Sequence, residues 1–312
     1  MLIIKALFIG IVQGLTAFLP VSSSGHSMLL YTLLDMKTMS PVAFMAAGHL
    51  GSLAAIIFFM KKELLHILAE VVRIPGLIKK NLSDRFEQIR RGSVDPYKPV
   101  FTSNYGKITF LCLAGNIPTI VVGVFVHDLT ERLSENILAV GMGFLISAVF
   151  LLVAAFLPNG KKVPQDLLLW QMLLVGVCQG VTVFPGVSRF AVTLAVFLLL
   201  GQTRKSSIIC SMLMSVPVLA GAFCYTVGDL FVKGFSLEIF GVVVVCAIAS
   251  ALIGCLVIRG CLHLVQKCKL TVFSVYCFLL ALGCIGCHLY LACYLTGRIV
   301  SGGFCGNKEK CK

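Results

Sequence analysis

Residues 179 to 193 read Gln-Gly-Val-Thr-Val-Phe-Pro-Gly-Val-Ser-Arg-Phe-Ala-Val-Thr, a polar knot between two apolar runs. Arg189 is the only basic residue between Lys162 and Arg204, and a guanidinium at membrane depth costs at least about 2.5 kcal/mol. Such a cost implies a use. Pro185 and Gly186 interrupt the helix beside it, freeing N–H groups that hydrocarbon cannot satisfy, so the break must face protein or a water-filled cavity. An arginine fork, the hydroxyls of Ser188 and Thr193, and bare amides at a helix start together favour an oxyanion, most naturally phosphate. The plainer alternative is a structural arginine that pairs the carbonyls of the broken helix.

A second knot, Leu19-Pro-Val-Ser-Ser-Ser-Gly-His26, closes the first apolar stretch. Ser23 and His26 are three positions apart, so a short turn can bring hydroxyl and imidazole to one cavity; a histidine satisfied by a backbone carbonyl is the other reading. Ser22 is a supporting donor. Gln13 and Gln179 are amides that either donate to phosphate oxygens or glue helices together. His49 is either a supporting group or structural.

The elements that must hold these groups lie in a membrane. Of 312 residues 58% are hydrophobic and 12% charged, with mean hydropathy +0.99, values of a polytopic membrane protein. The net charge of +13 does not point to nucleic acid, because the basic residues fall in loops between apolar segments, where they mark topology and meet lipid headgroups. Fourteen cysteines behave as small hydrophobes. Cys284 and Cys287 lack a partner pair to complete a zinc site. Lys5, Gln13 and Thr16, without a small-residue cleavage site, argue against a removable signal peptide.

Neither half of 2–34 spans a core of about 30 Å, so a re-entrant hairpin is expected there and again over 167–201. Full spans are expected over 41–60, 108–127, 137–157, 206–227, 237–257 and 271–296, with a basic loop over 61–107 and a polar tail over 297–312. This topology puts loops 61–107, 158–166, 202–206 and 258–270 on one side with seventeen Lys and Arg, against eight on the other side. The first side is then cytoplasmic and both termini external. A shift of 166 positions lays Gly10, Gln13, Gly14, Thr16, Val21 and Ser22 over Gly176, Gln179, Gly180, Thr182, Val187 and Ser188. The expected fold is therefore all-α: two inverted repeats, 1–157 and 158–296, each a hairpin plus three spans, with the hairpins meeting near the midplane.

At these motifs the chain resembles the undecaprenyl pyrophosphate phosphatases, the bacitracin-resistance family of bacterial membrane enzymes. The resemblance rests on Gln13-Gly-Leu-Thr with Phe-Leu-Pro-Val-Ser-Ser-Ser-Gly-His26, on His49-Leu-Gly-Ser, and on Pro185-Gly-Val-Ser-Arg189 with Thr193. It implies a hydrolase in the inner membrane that removes the terminal phosphate of an isoprenyl diphosphate, recycles the cell-wall lipid carrier and confers bacitracin resistance. It assigns Ser23 and His26 to catalysis beside Arg189. Either Ser23 attacks phosphorus with His26 as base, or His26 attacks or protonates the leaving group. The active site is expected to open externally, and a homodimer is left open. The family's acidic residue four places after Gln13 is here Ala17, and the serine after the arginine is Phe190. A protein-held metal is thereby put in question, and Mg²⁺ or Ca²⁺ carried by the diphosphate is the expectation. The competing classes are a polyprenyl-phosphate flippase, since broken helices are transporter hardware, and a weakly active homologue.

Overall fold

The structure, a computed structural model, describes residues 1–36, 41–91, 103–233 and 236–305. Its described elements are helices, because a chain in hydrocarbon must satisfy its own backbone, and one isolated bridge joins Lys162 and Gln202. The first half carries α1 (Leu2–Thr16), α2 (Ser23–Leu33), α3 (Pro41–Phe59), α4 (Lys61–Arg91), α5 (Asn104–Ser134) and α6 (Ile137–Ala155). After a 3-10 turn at Pro164–Asp166 come α7 (Leu169–Val181), α8 (Arg189–Leu199), α9 (Arg204–Lys233), α10 (Leu237–Lys267) and α11 (Leu270–Cys305). Among the described residues α5, α6, α9, α10 and α11 are long and apolar enough to cross a membrane, and Phe44–Phe59 joins them only with α4, at a 93° bend.

Each broken element returns to the end from which it started. Lys5 in the first turn of α1 donates to the Leu34 carbonyl after α2, at 2.6 Å. Lys162 donates to the Gly201 carbonyl at 3.0 Å, joining the approach to α7 with the exit of α8. The two openings lie at opposite ends of α10. Gly10 of α1 packs so closely on α10 that a Cβ would sit 2.6 Å from the Cys246 carbonyl, while the Arg204 guanidinium, at the second opening, donates to the Cys268 carbonyl just past the end of α10. Gly176 of α7 meets the Gly115 carbonyl of α5 in the same way, at 1.7 Å from an added Cβ. The glycines 166 positions apart thus do matching work, admitting one helix backbone to another.

The basic connections gather at one end. Lys107 donates to the Gln165 carbonyl, Asn159 accepts from the Arg204 amide, and Ser103 beside α5 donates to Glu70 of α4. Two boundaries differ from the sequence reading. The stretch expected as loop holds the 31-residue α4, and α11 continues to Cys305 through what reads as the start of the polar tail. Only 306–312 of that tail lie outside the described residues.

α6 is the support for both breaks. The ring of Phe144 fills the space a Cβ on Gly25 would need, 2.5 Å away. Gly186 has φ +83°, and a Cβ there would lie 2.2 Å from the Val140 carbonyl, so the left-handed turn and the close approach both demand glycine. Ser147 of α6 accepts from the Ser188 amide at 2.7 Å and donates to the Gly143 carbonyl at 2.9 Å.

Candidate functional site

The two breaks are built alike. Ser22 caps α2 by accepting from the Gly25 amide at 3.1 Å, and Ser188 caps α8 by accepting from the Ala191 amide at 3.2 Å. Ser22 pays for its position with φ 64°, a strained left-handed conformation for a residue with a side chain. Ser23 and Arg189 are the first residues of the two helices. The opening amides of a helix have no intrahelical acceptor, and each helix start carries the positive end of its dipole. Two such ends therefore border one space.

That space is a cavity of about 590 Å³ lined by Ser22, Ser23, Ser24, His49, Ser188 and Arg189, among others. Arg189 is the single Lys or Arg among the lining residues, and its Nε is buried with no hydrogen-bond partner in the protein. A buried donor left unpaired costs on the order of 1–3 kcal/mol, so the guanidinium is poised for an acceptor from outside the chain. Apolar side chains of α5 (Ile120, Val124) and α9 (Val218, Ala222) also line it, in the halves of those helices remote from α4, together with Asp128, Thr130 and Tyr225.

Gln13 organises the first break. Fully buried, it accepts from Ser27 Oγ at 2.8 Å and gives its Nε2 to His49 Nδ1 at 2.9 Å and to Ser23 Oγ at 3.3 Å. With Nδ1 accepting, the neutral ring of His49 carries its proton on Nε2, as a donor on the cavity wall. His26 has the opposite tautomer. Its Nδ1 lies 2.8 Å from the Ser22 carbonyl, so Nδ1 bears the proton and Nε2 accepts from the Tyr276 hydroxyl at 2.7 Å. The ring stacks on Tyr276 and meets Phe144 edge-on, with centroids 5.7 and 5.4 Å away. Ser23, His49 and Arg189 thus come together on the cavity, whereas His26 faces α11.

Gln179 is fully buried among helices, donating to Asn116 Oδ1 at 3.0 Å and to Thr119 Oγ1 at 3.3 Å. This is the glue reading of that amide. The Thr193 hydroxyl donates to the Arg189 carbonyl at 2.8 Å, so it steadies the turn that carries the guanidinium instead of reaching into the cavity. Ala17 lines the cavity with no polar atom to offer. Asp128 is the one carboxylate among the lining residues, and no cluster of three His, Cys, Asp or Glu exists among the described residues. Those side chains make no cation cage of their own. Ser211 of α9 lies outside every motif in the sequence, yet it lines the cavity with a buried hydroxyl that has no partner. No local signal marks it; only the packing of α9 against α3 brings it there.

Residues 6–283 match the profile of the family described as bacitracin resistance protein BacA. The chain is 31% identical to an undecaprenyl-diphosphatase of Methanosphaera stadtmanae, over 90% of this chain and 96% of the relative. It is 32% identical to an undecaprenyl-diphosphatase of Desulforapulum autotrophicum, over 89% and 95%, and 30% identical to one of Korarchaeum cryptofilum, over 90% and 97%. The chain belongs to the BacA family.

Proposed function

We infer that this protein is an integral-membrane phosphatase that hydrolyses undecaprenyl diphosphate to undecaprenyl phosphate and phosphate, recycling the lipid carrier. One observation carries the reading beyond family membership: two helix starts, several hydroxyls and an arginine whose buried Nε has no partner border a cavity lined for the rest mainly by apolar side chains. A diphosphate on an isoprenyl tail has the matching polarity.

Arg189 and the opening amides of α2 and α8 would hold the phosphates, with His49 Nε2–H as a further donor. Ser23 Oγ would attack the terminal phosphorus while the anhydride P–O bond breaks, releasing undecaprenyl phosphate. The Ser23 proton passes to His26 Nε2, the basic nitrogen of that ring, after it exchanges Tyr276 for Ser23. That proton leaves on the undecaprenyl phosphate; water then attacks the phosphoserine phosphorus, giving its proton to His26 as the P–Oγ bond breaks, and His26 returns that proton to Ser23 Oγ while inorganic phosphate leaves. Purified protein in detergent tests this: release of phosphate together with the C55 monophosphate supports it, whereas a lipid bound or moved across vesicles with its diphosphate intact identifies a flippase.

The matching helices, the glycine contacts and the openings at opposite ends of α10 support an inverted repeat. By the positive-inside rule the basic end is cytoplasmic, and the cavity, lined by the remote halves of α5 and α9, opens externally. Cysteines introduced near Thr130 should be labelled from outside intact cells, whereas one at Asn159 should be silent until the membrane is permeabilised. Two further positions, one in the tail after Arg298 on the outer side and Ser93 on the inner, extend the test; Ser93 lies outside the described residues.

With Ala17 apolar, the cation that shields the phosphates is proposed to arrive on the diphosphate, whose clustered oxygens bind Mg²⁺ or Ca²⁺ without help. Activity should then need a divalent cation at about millimolar concentration, and Ala17→Glu, one turn from Gln13 on the same face, should lower that requirement and raise turnover. Undiminished wild-type turnover in excess chelator would dispose of this account of Ala17.

A further inference from the structure

α4 takes no part in the cavity, and the second half of the chain has no equivalent. The starts of α2 and α8 are 166 residues apart, but those of α5 and α10 only 133 apart, because α4 and its connection lie between α3 and α5 whereas α9 passes almost directly into α10. The helix leaves α3 at 93°. Because α3 runs along the bundle, α4 lies along the membrane surface, and with Lys79, Lys80, Arg85, Arg90 and Arg91 in its sequence it cannot cross.

One face of α4 is held by the protein. Glu70 and Ile74 are buried, Glu70 accepts from Ser103 Oγ at 2.6 Å, and His66 stacks on Tyr105 with ring centroids 4.6 Å apart. The neighbouring face is apolar and uncovered. Leu65, Leu68 and Val72, and beyond Pro75 Ile78, Leu82, Phe86 and Ile89, are each more than half exposed; the spacing is three or four residues within each run and six between Val72 and Ile78, which keeps both runs on one side of the helix, with Lys79 among them. Lys62, Arg73, Lys80 and Arg91 recur along its flank at intervals of seven or eleven, all exposed, with Arg73 and Arg91 also paired to Glu70 and Glu87 of the same helix.

We propose that α4 is an interfacial helix seated in the leaflet at the basic end of the bundle, its stripe among acyl chains and its flank on anionic headgroups. A strongly amphipathic helix with basic residues beside an apolar face is the form that lies in this boundary, and each basic residue there adds attraction to an anionic surface. A second copy of the chain fits less well. A two-fold contact through the stripe would set the same basic flanks against each other.

The test reads lipid contact and not catalysis, so it stands apart from the assignment of the phosphatase. Trp170 is the sole tryptophan; in a Trp170→Phe background, Phe86→Trp reports on the stripe of the full chain in nanodiscs. Lipids brominated on the acyl chain should quench it. Brominated phosphatidylglycerol should associate more strongly than brominated phosphatidylcholine, by about fivefold for each basic residue engaged, and the preference should fade in about 1 M salt. The same reporter with Lys62→Gln and Lys80→Gln should keep the quenching and weaken the preference about twenty-fivefold. Absence of quenching would overturn the proposal, as would shielding of the introduced indole by a second protomer or equal quenching by both lipids.

Discussion

Arg189→Ala is expected to lower kcat/KM for undecaprenyl diphosphate at least about a hundredfold, with the protein still folded and in the membrane. Truncating one partner of a buried charged hydrogen bond costs about 2–5 kcal/mol, and each 1.36 kcal/mol is about tenfold in rate. Among the described residues Arg189 is the only Lys or Arg lining the cavity, so no described neighbour substitutes for it. Arg189→Lys keeps the charge and loses the planar fork, and should fall between the two. Phosphate release measured over a range of lipid concentration checks both. Wild-type turnover in Arg189→Ala would remove this residue from the site and return it to a structural role.

Ser23→Ala should cost more, about a thousandfold or greater, because it removes the attacking atom rather than a stabilising contact. The two histidines should then separate by the shape of the pH profile. His26 carries its proton on Nδ1 and presents Nε2 as a base. A protonated imidazole cannot take the Ser23 proton, so activity should fall in acid and His26→Gln should remove that fall. His49 presents a donor, and His49→Gln should lower the rate across the profile without changing its form. The reverse pattern would exchange the two roles.

The polar core of the site is legible in the sequence because helix breaks and caps are local chemistry. Pro185-Gly186, the serines at 22 and 188, and the isolated arginine each announce themselves within a few residues, and the 166-residue register relates one break to the other. The basic loops are equally legible as a charge pattern, and they do share one end of the bundle. What depends on packing is not legible. The turning of Gln179 onto Asn116 and Thr119, the placing of His49 with Ser23 through Gln13, and the arrival of Ser211 all come from helices distant in sequence. α4 is a different case. Its stripe at Leu65, Leu68 and Val72 is visible, but dense charge masks a helix whose apolar face lies on the surface instead of inside a core.

The central claim is that both breaks act on one diphosphate, and a double-mutant cycle on Ser23 and Arg189 reads it directly. Groups that serve one transition state are strongly non-additive, as the members of a catalytic set are. Phosphate release by Ser23→Ala, Arg189→Ala and the double variant, followed to the background rate, should show the double variant within about tenfold of the weaker single one. If the two losses instead multiply, with each single variant well above background, the breaks act independently and the shared site is contradicted.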